Sequence, residues 1–207
     1  MKIEKYEQSG FVIENNSGFR LAFDIGNKTS NSDLAKVGRV DAFIVSHIHG
    51  DHFDIQNIKS LKIKNLFLNA ECLETLGEES FNFKINVVEV GDTIFIDDMT
   101  VTFFNVDHGP NVSAPLKENF GFLLNVDGQN IYFAGDMFYE SGIDVSSLEV
   151  DLALLPVGTF YTFGPEEAFI FAKKFKKIGK IISMHYDKTP ETHEKFIALS
   201  KESFQVE

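Results

Sequence analysis

Three histidines and one aspartate fall within six residues, in Ser46-His47-Ile48-His49-Gly50-Asp51-His52. Imidazole and carboxylate are the ligands that zinc and related divalent ions take. The whole chain holds six histidines, so chance does not gather half of them here. The segment follows the apolar run 40–45, where a buried strand opens into a loop. Gly50 is free to turn the backbone sharply. His47 and His49 then converge on one ion, and Asp51 and His52 reach a neighbouring one. Further ligands must come from elsewhere. His108 closes the strand-like run 102–108 before Gly109-Pro110, Asp136 closes another run before Met137, and His185 follows Lys180-Ile181-Ile182-Ser183-Met184. Taken singly, each reads as structural. Taken together, all at strand ends, they describe a dinuclear metal site.

The elements that must position these residues come in two similar sets. Phe11-Val12-Ile13, the turn Asn16-Ser17-Gly18 and the run 19–23 form a hairpin ending at Asp24. Phe122-Leu123-Leu124, Asp127-Gly128 and Ile131–Ala134 repeat it, ending at Gly135-Asp136. Each hairpin is followed by a connector and an apolar run, 40–45 and 150–155, of the length of a strand buried on both faces. Two related halves follow, each with its own sheet. Gly164-Pro165-Glu166-Glu167 opens a helix running to Lys177, with acids at its start and the lysines at 173, 174, 176 and 177 at its end. That makes the lysine cluster a solvated helix end rather than a phosphate site. Thr189-Pro190-Glu191 opens a last helix through about residue 202. Residues 54–61 and 71–77 read as short helices, and 86–106 as mostly strand, turning at Gly91-Asp92 and Asp97-Asp98. The class is α/β, in layers.

Composition bounds the function. The 207 residues suit one domain, 1–207, that buries about 70% of its unfolded surface. With 22 Phe and no Trp, phenylalanine supplies the large core volume. Acidic residues outnumber basic ones 31 to 19, a net charge of -12. This excludes strong nonspecific nucleic-acid binding and disfavours an anionic membrane surface, while leaving room for a local basic site. Cys72 is the one cysteine, so no internal disulfide or cysteine-cluster metal site forms. The start, MKIEKYEQSG, lacks an apolar signal region, and no run of 18 apolar residues exists. The expectation is a cytoplasmic protein acting on a small molecule, without nucleic acid or membrane partners. Self-association as a homo-oligomer is left open.

The H-x-H-x-D-H pattern of residues 47–52, with His108, Asp136 and His185, resembles the metallo-β-lactamase superfamily over essentially the whole chain. The resemblance implies an αββα sandwich of two related halves and two metal ions, zinc first, with manganese or iron as alternatives. It implies His47, His49 and His108 on one ion, Asp51, His52 and His185 on the other, and Asp136 bridging. No cysteine stands at the bridging position, unlike one zinc β-lactamase subclass. Ile131–Asp136, Asp151–Gly158, Glu166-Glu167-Ala168 and Met184-His185-Tyr186, in that order, are similar to the metal-dependent hydrolases related to ascorbate-6-phosphate lactonase. Met137, Asp187-Lys188 and the loop 109–119 depart from that family's usual residues.

Two adjacent dications make hydroxide available near neutral pH. The expected reaction is attack by a bridging hydroxide on a lactone, ester or amide, with Asp51 holding the hydroxide and accepting its proton. A phosphodiesterase is the alternative hydrolase. An iron-dependent oxidoreductase and a non-catalytic metal-binding protein are the alternatives of other classes. Tyr161 and Thr162, in the loop 158–164, are the candidate substrate contacts, and Asp24 is expected to hydrogen-bond a ligand histidine. Tyr186 is expected to pack beside His185, Lys188 to be a solvated loop lysine, His193 to be exposed on the last helix, and Cys72 to be inert.

Overall fold

The computed structural model describes residues 1–77, 80–112 and 116–207. Residues 113–115 of the 109–119 loop, singled out above, lie outside these. The chain divides into two compact units, Met1–Glu89 with Leu116–Glu118, and Val90–Pro115 with Asn119–Glu207.

The first unit runs β1 (Lys2–Lys5), β2 (Phe11–Glu14), β3 (Arg20–Phe23), α1 (Asn31–Val37), β4 (Arg39–Ile44), α2 (Ile55–Ser60), β5 (Lys62–Leu68), α3 (Ala70–Leu76) and β6 (Lys84–Val87). Its six strands lie in sequence order. β1, β2 and β3 pair antiparallel, and β3 to β6 pair parallel. The helices are the crossovers that parallel neighbours require. Their caps follow the sequence: Ser30, Asp54 and Asn69 each accept a first-turn N–H through a side-chain oxygen. Val40, Phe43, Ile63 and Leu66 belong to this unit's apolar core.

The second unit runs β7 (Thr93–Ile96), β8 (Met99–Asn105), β9 (Phe120–Val126), β10 (Gln129–Phe133), β11 (Glu149–Pro156), α4 (Pro165–Ala172), β12 (Lys177–Met184) and α5 (Pro190–Ser200). Its sheet is also in sequence order, antiparallel from β7 to β10 and parallel from β10 to β12. The core is aromatic: Phe122 stacks on Phe133 at 4.5 Å, and Phe103 contacts Phe120 and Phe122 at 5.3 and 6.1 Å. The fold is therefore mixed α/β with two sheets. The hairpin and following parallel strand, β2-β3-β4, recur as β9-β10-β11. Among the described residues no helix is long and apolar enough to cross a membrane.

Several elements depart from the sequence reading. The helix expected to reach Lys177 stops at Ala172. Phe175 must turn inward to pack on Tyr132 and Phe171, at 5.1 and 5.5 Å, and β12 begins at Lys177. The lysines therefore spread over a turn. Lys174 pairs with Glu140, and Lys176 with Glu149 at 2.7 Å. The last helix ends at Ser200 rather than 202. β1, α1 and β5 were not anticipated. β5 lies between β4 and β6, but Lys62 and Lys64 on its exposed face break up its apolar run.

Asp41 ties three parts of the first sheet together. Its Oδ2 accepts the Arg20 backbone N–H at 3.1 Å, and its Oδ1 meets Arg39 at 3.2 Å and Lys64 at 2.5 Å. Burial alone would raise its carboxyl, but Lys64, the Arg20 N–H and Arg39 outweigh burial and hold it below its ordinary value. A folded pKa below the unfolded one gives stability that is present above the unfolded pKa and lost as pH falls through the folded one. The lysine and arginine heads are exposed, which limits the gain to about 1 kcal/mol. Asp41→Asn should lower the melting temperature at pH 7, with the deficit closing below pH ~4. A deficit independent of pH in calorimetry would contradict this account.

Candidate metal centre

In the first unit the turn after β4 carries His47, His49, Asp51 and His52. Backbone bonds close it: His52 and Phe53 N–H donate to His49 O at 2.9 and 2.7 Å, and Asn27 N–H donates to Gly50 O at 2.8 Å. Gly26 is pressed against this turn. A Cβ there would lie 2.1 Å from the Asp51 carbonyl carbon, so only glycine lets the two segments meet. Gly50 works in a different way from that expected. Its backbone is not left-handed, and its missing side chain makes room for the Asn27 amide.

The Asp24 carboxylate organises these histidines. It is fully buried and sits just past β3. Oδ1 accepts the Ser46 N–H at 2.8 Å, and Oδ2 accepts the Ser46 hydroxyl at 2.7 Å and faces His52 Nδ1 at 2.8 Å. Since the hydroxyl donates to Asp24, its lone pair is left for the Nδ1–H of His47, 2.9 Å away. His52 likewise donates Nδ1–H to Asp24. Both rings are thus fixed as the tautomer whose Nε2 carries a lone pair, the form that binds a metal. His47 Nε2 stands 3.0 Å from His49 Nδ1. Asp51, half-buried, accepts the Gln8 amide through Oδ2 at 3.1 Å.

In the second unit three side chains meet at one oxygen. Asp136 Oδ2 lies 3.0 Å from His185 Nε2 and 3.3 Å from His108 Nε2. Asp136 is 1% exposed, and both histidines are buried. Asn119 locks the segment by donating its amide to the carbonyls of Asp136 and Val106, at 3.1 and 3.3 Å. His185 stands in the left-handed region at φ 57°. Gly158 abuts it so closely that a Cβ would fall 1.7 Å from the His185 carbonyl oxygen. Thr189 then fastens Gly158 by donating its hydroxyl to the Gly158 carbonyl at 3.0 Å.

Each unit therefore supplies side chains of the kind that ligate a metal. The donors are imidazole nitrogens and carboxylate oxygens without sulfur, and the fixed tautomers turn basic nitrogens toward a cation. That chemistry fits zinc, manganese or iron.

The other singled-out residues are placed as follows. Tyr161 is exposed, next to the exposed Phe160. Thr162 is buried, and its hydroxyl donates to the Phe163 carbonyl at 3.3 Å. His193 is half-buried rather than exposed, because Ser183 Oγ meets its Nδ1 at 2.6 Å and Tyr186 stacks on its ring at 4.4 Å. Tyr186 therefore packs on His193. Lys188 is exposed. Cys72 is buried, and burial together with Asp24 and Glu71 pushes its thiol well above the ordinary value, which keeps it unreactive. Sequence reasoning gave no role to Ser46 or Gln8. Ser46 stood inside the motif, whereas Gln8 is 43 residues from Asp51 and carried no local signal.

A family model described as a β-lactamase superfamily domain matches residues 2–185. A UPF0173 metal-dependent hydrolase of Korarchaeum cryptofilum is 30% identical over 192 residues, covering 88% of this chain and 81% of that protein. Among solved structures, Igni18, a metallo hydrolase from Ignicoccus hospitalis, is similar with a TM-score of 0.77 at 22% identity, over 99% of this chain and 93% of that one. The metallo-β-lactamase fold protein YhfI of Bacillus subtilis gives 0.73 at 17% identity, over 97% and 88%. At those identities the structural likeness speaks for the fold.

The Asp24 relay makes a quantitative prediction. Asp24→Asn and Ser46→Ala should each weaken metal affinity roughly 10- to 100-fold in a chelator competition. Wild-type affinity in both variants would show that the relay does not set the tautomers.

Proposed function

Because the chain belongs to the β-lactamase superfamily and is one of its metal-dependent hydrolases, we propose that its histidine and aspartate groups hold two divalent ions. In this reading the protein hydrolyses a small carboxylic ester, lactone or amide. His47, His49 and His108 would hold one ion and Asp51, His52 and His185 the other, with Asp136 as a further ligand. Zinc is the first choice for this donor set, ahead of manganese and iron. Such ions lower the pKa of water and polarise an acyl oxygen.

The observation that carries the reading is the convergence of two imidazole nitrogens on one oxygen of buried Asp136. A buried carboxylate needs cationic or hydrogen-bonding company, and a shared ligand position supplies it. The chain's own residues do the rest. Asp51, oriented by Gln8 through the 3.1 Å bond, takes the proton of the attacking water and later returns it to the leaving alcohol or amine. Asp24 and Ser46 keep His47 and His52 in one tautomer throughout. Tyr161, which is exposed, is the candidate substrate contact in this reading. Thr162 is less suited, because its hydroxyl is already committed to the Phe163 carbonyl. The net charge of -12 repels anionic phosphodiesters and favours neutral acyl substrates.

Elemental analysis of the purified protein should find near two metal ions per chain. Ester or lactone hydrolysis should vanish on chelation and return on readdition. Asp51→Ala should cut turnover by about 10²- to 10⁴-fold with its circular dichroism unchanged. Absence of metal uptake, or a phosphodiester preference across a substrate panel, would overturn the reading.

A further inference from the structure

The first unit contains a cavity of about 520 Å³, within the usual range for small-ligand sites. Its wall carries Arg39, Lys59, Lys62 and Lys64 together with Phe81 and Phe83. Among the described residues no acidic side chain lines it. This is a local reversal of sign, because the chain as a whole bears a charge of -12. It also takes one of the two arginines.

Two observations distinguish the cavity from a scatter of solvated lysines. Arg39 and Lys62 are register partners at the starts of the parallel strands β4 and β5. Like charges set side by side on a sheet are destabilising, and such an arrangement is relieved when an anion lies between them. One carboxylate, Asp41, is shared between Arg39 and Lys64. Lys59 has its own local explanation, since it stands in the last turn of α2, where the helix end favours a cation, which leaves Lys62. The second observation is aromatic. Phe81 and Phe83 are half-buried and stack on each other, with ring centroids 4.8 Å apart and planes at 26°. They give the cavity an apolar, planar wall beside its cationic one.

The cavity is also separate from the histidines. Arg39 begins β4, and His47 lies beyond the strand's other end. Strand rise over Arg39–Ile44 alone puts roughly 17 Å between the two ends of β4.

We propose that this cavity binds a small organic anion that joins a phosphate or diphosphate to a planar ring, the chemistry of a nucleoside diphosphate. The phosphates lie against Arg39, Lys62 and Lys64, and the ring lies against Phe81 and Phe83. No bond is made or broken at this site, and its occupancy does not depend on the metal reading.

Isothermal titration of the metal-loaded protein with ADP and with pyrophosphate tests this. ADP should bind with one-to-one stoichiometry and weaken as salt rises. Lys62→Glu should weaken ADP at least tenfold and leave metal content and ester hydrolysis unchanged. Phe81→Leu, which keeps apolar packing, should weaken ADP several-fold and leave pyrophosphate alone. Absence of saturable ADP binding would overturn the proposal. So would ADP binding that Lys62→Glu leaves intact, which would place the nucleotide on the metals. Equal affinity for ADP and pyrophosphate would overturn the role of the aromatic wall.

Discussion

Keeping a carboxylate dry is the constraint from which both clusters follow. A buried, ionised carboxylate is tolerated only where donors or cations surround it. Asp24 directly follows β3, and Asp136 lies three residues beyond β10. Asp24 meets the constraint with the Ser46 amide, the Ser46 hydroxyl and a histidine ring. Its charge is thereby consumed in orienting its neighbours. Asp136 is met by two imidazole nitrogens, those of His108 and His185. Two buried carboxylates thus meet one constraint in different ways, Asp24 through donors that it orients and Asp136 through ring nitrogens.

A similar device holds the histidine-bearing turns in both units. Gly26 in the first unit and Gly158 in the second each bring one backbone segment against another that carries a histidine. Asp24 and His185 both sit in left-handed backbone, at φ 53° and 57°. Such conformations cost of order 1 kcal/mol or more and persist only where the surroundings dictate them. Backbone contact is stiffer than side-chain contact. It therefore places ring nitrogens more reproducibly than long side chains on mobile loops would.

Much of this was legible in the sequence because it is local. The motif 47–52 names its own residues, and the two hairpins declare themselves through Asn16-Ser17-Gly18 and Asp127-Gly128. Apolar runs marked β4 and β11 to within a residue at each end. What escaped was set by distant partners. β5 needs two neighbouring strands to make sense of its lysines. α1 offers only Leu34 and Val37 to a core, and its clearest signal is the Ser30 cap. α4 ends early because Phe175 is drawn to Tyr132, which lies 43 residues away. His193 looked exposed amid charged neighbours on α5, yet Ser183 and Tyr186 enclose it. Gln8 reaches Asp51 only through the fold.

The depth at which Cys72 lies has a practical consequence. The chain's one thiol is sealed in the core of the first unit and held protonated. A second cysteine placed anywhere on the surface would be the sole group open to maleimide chemistry. With no tryptophan in the chain, a single engineered indole would likewise report without background. Spectroscopic labels can therefore be added to this protein one position at a time, without first removing native residues.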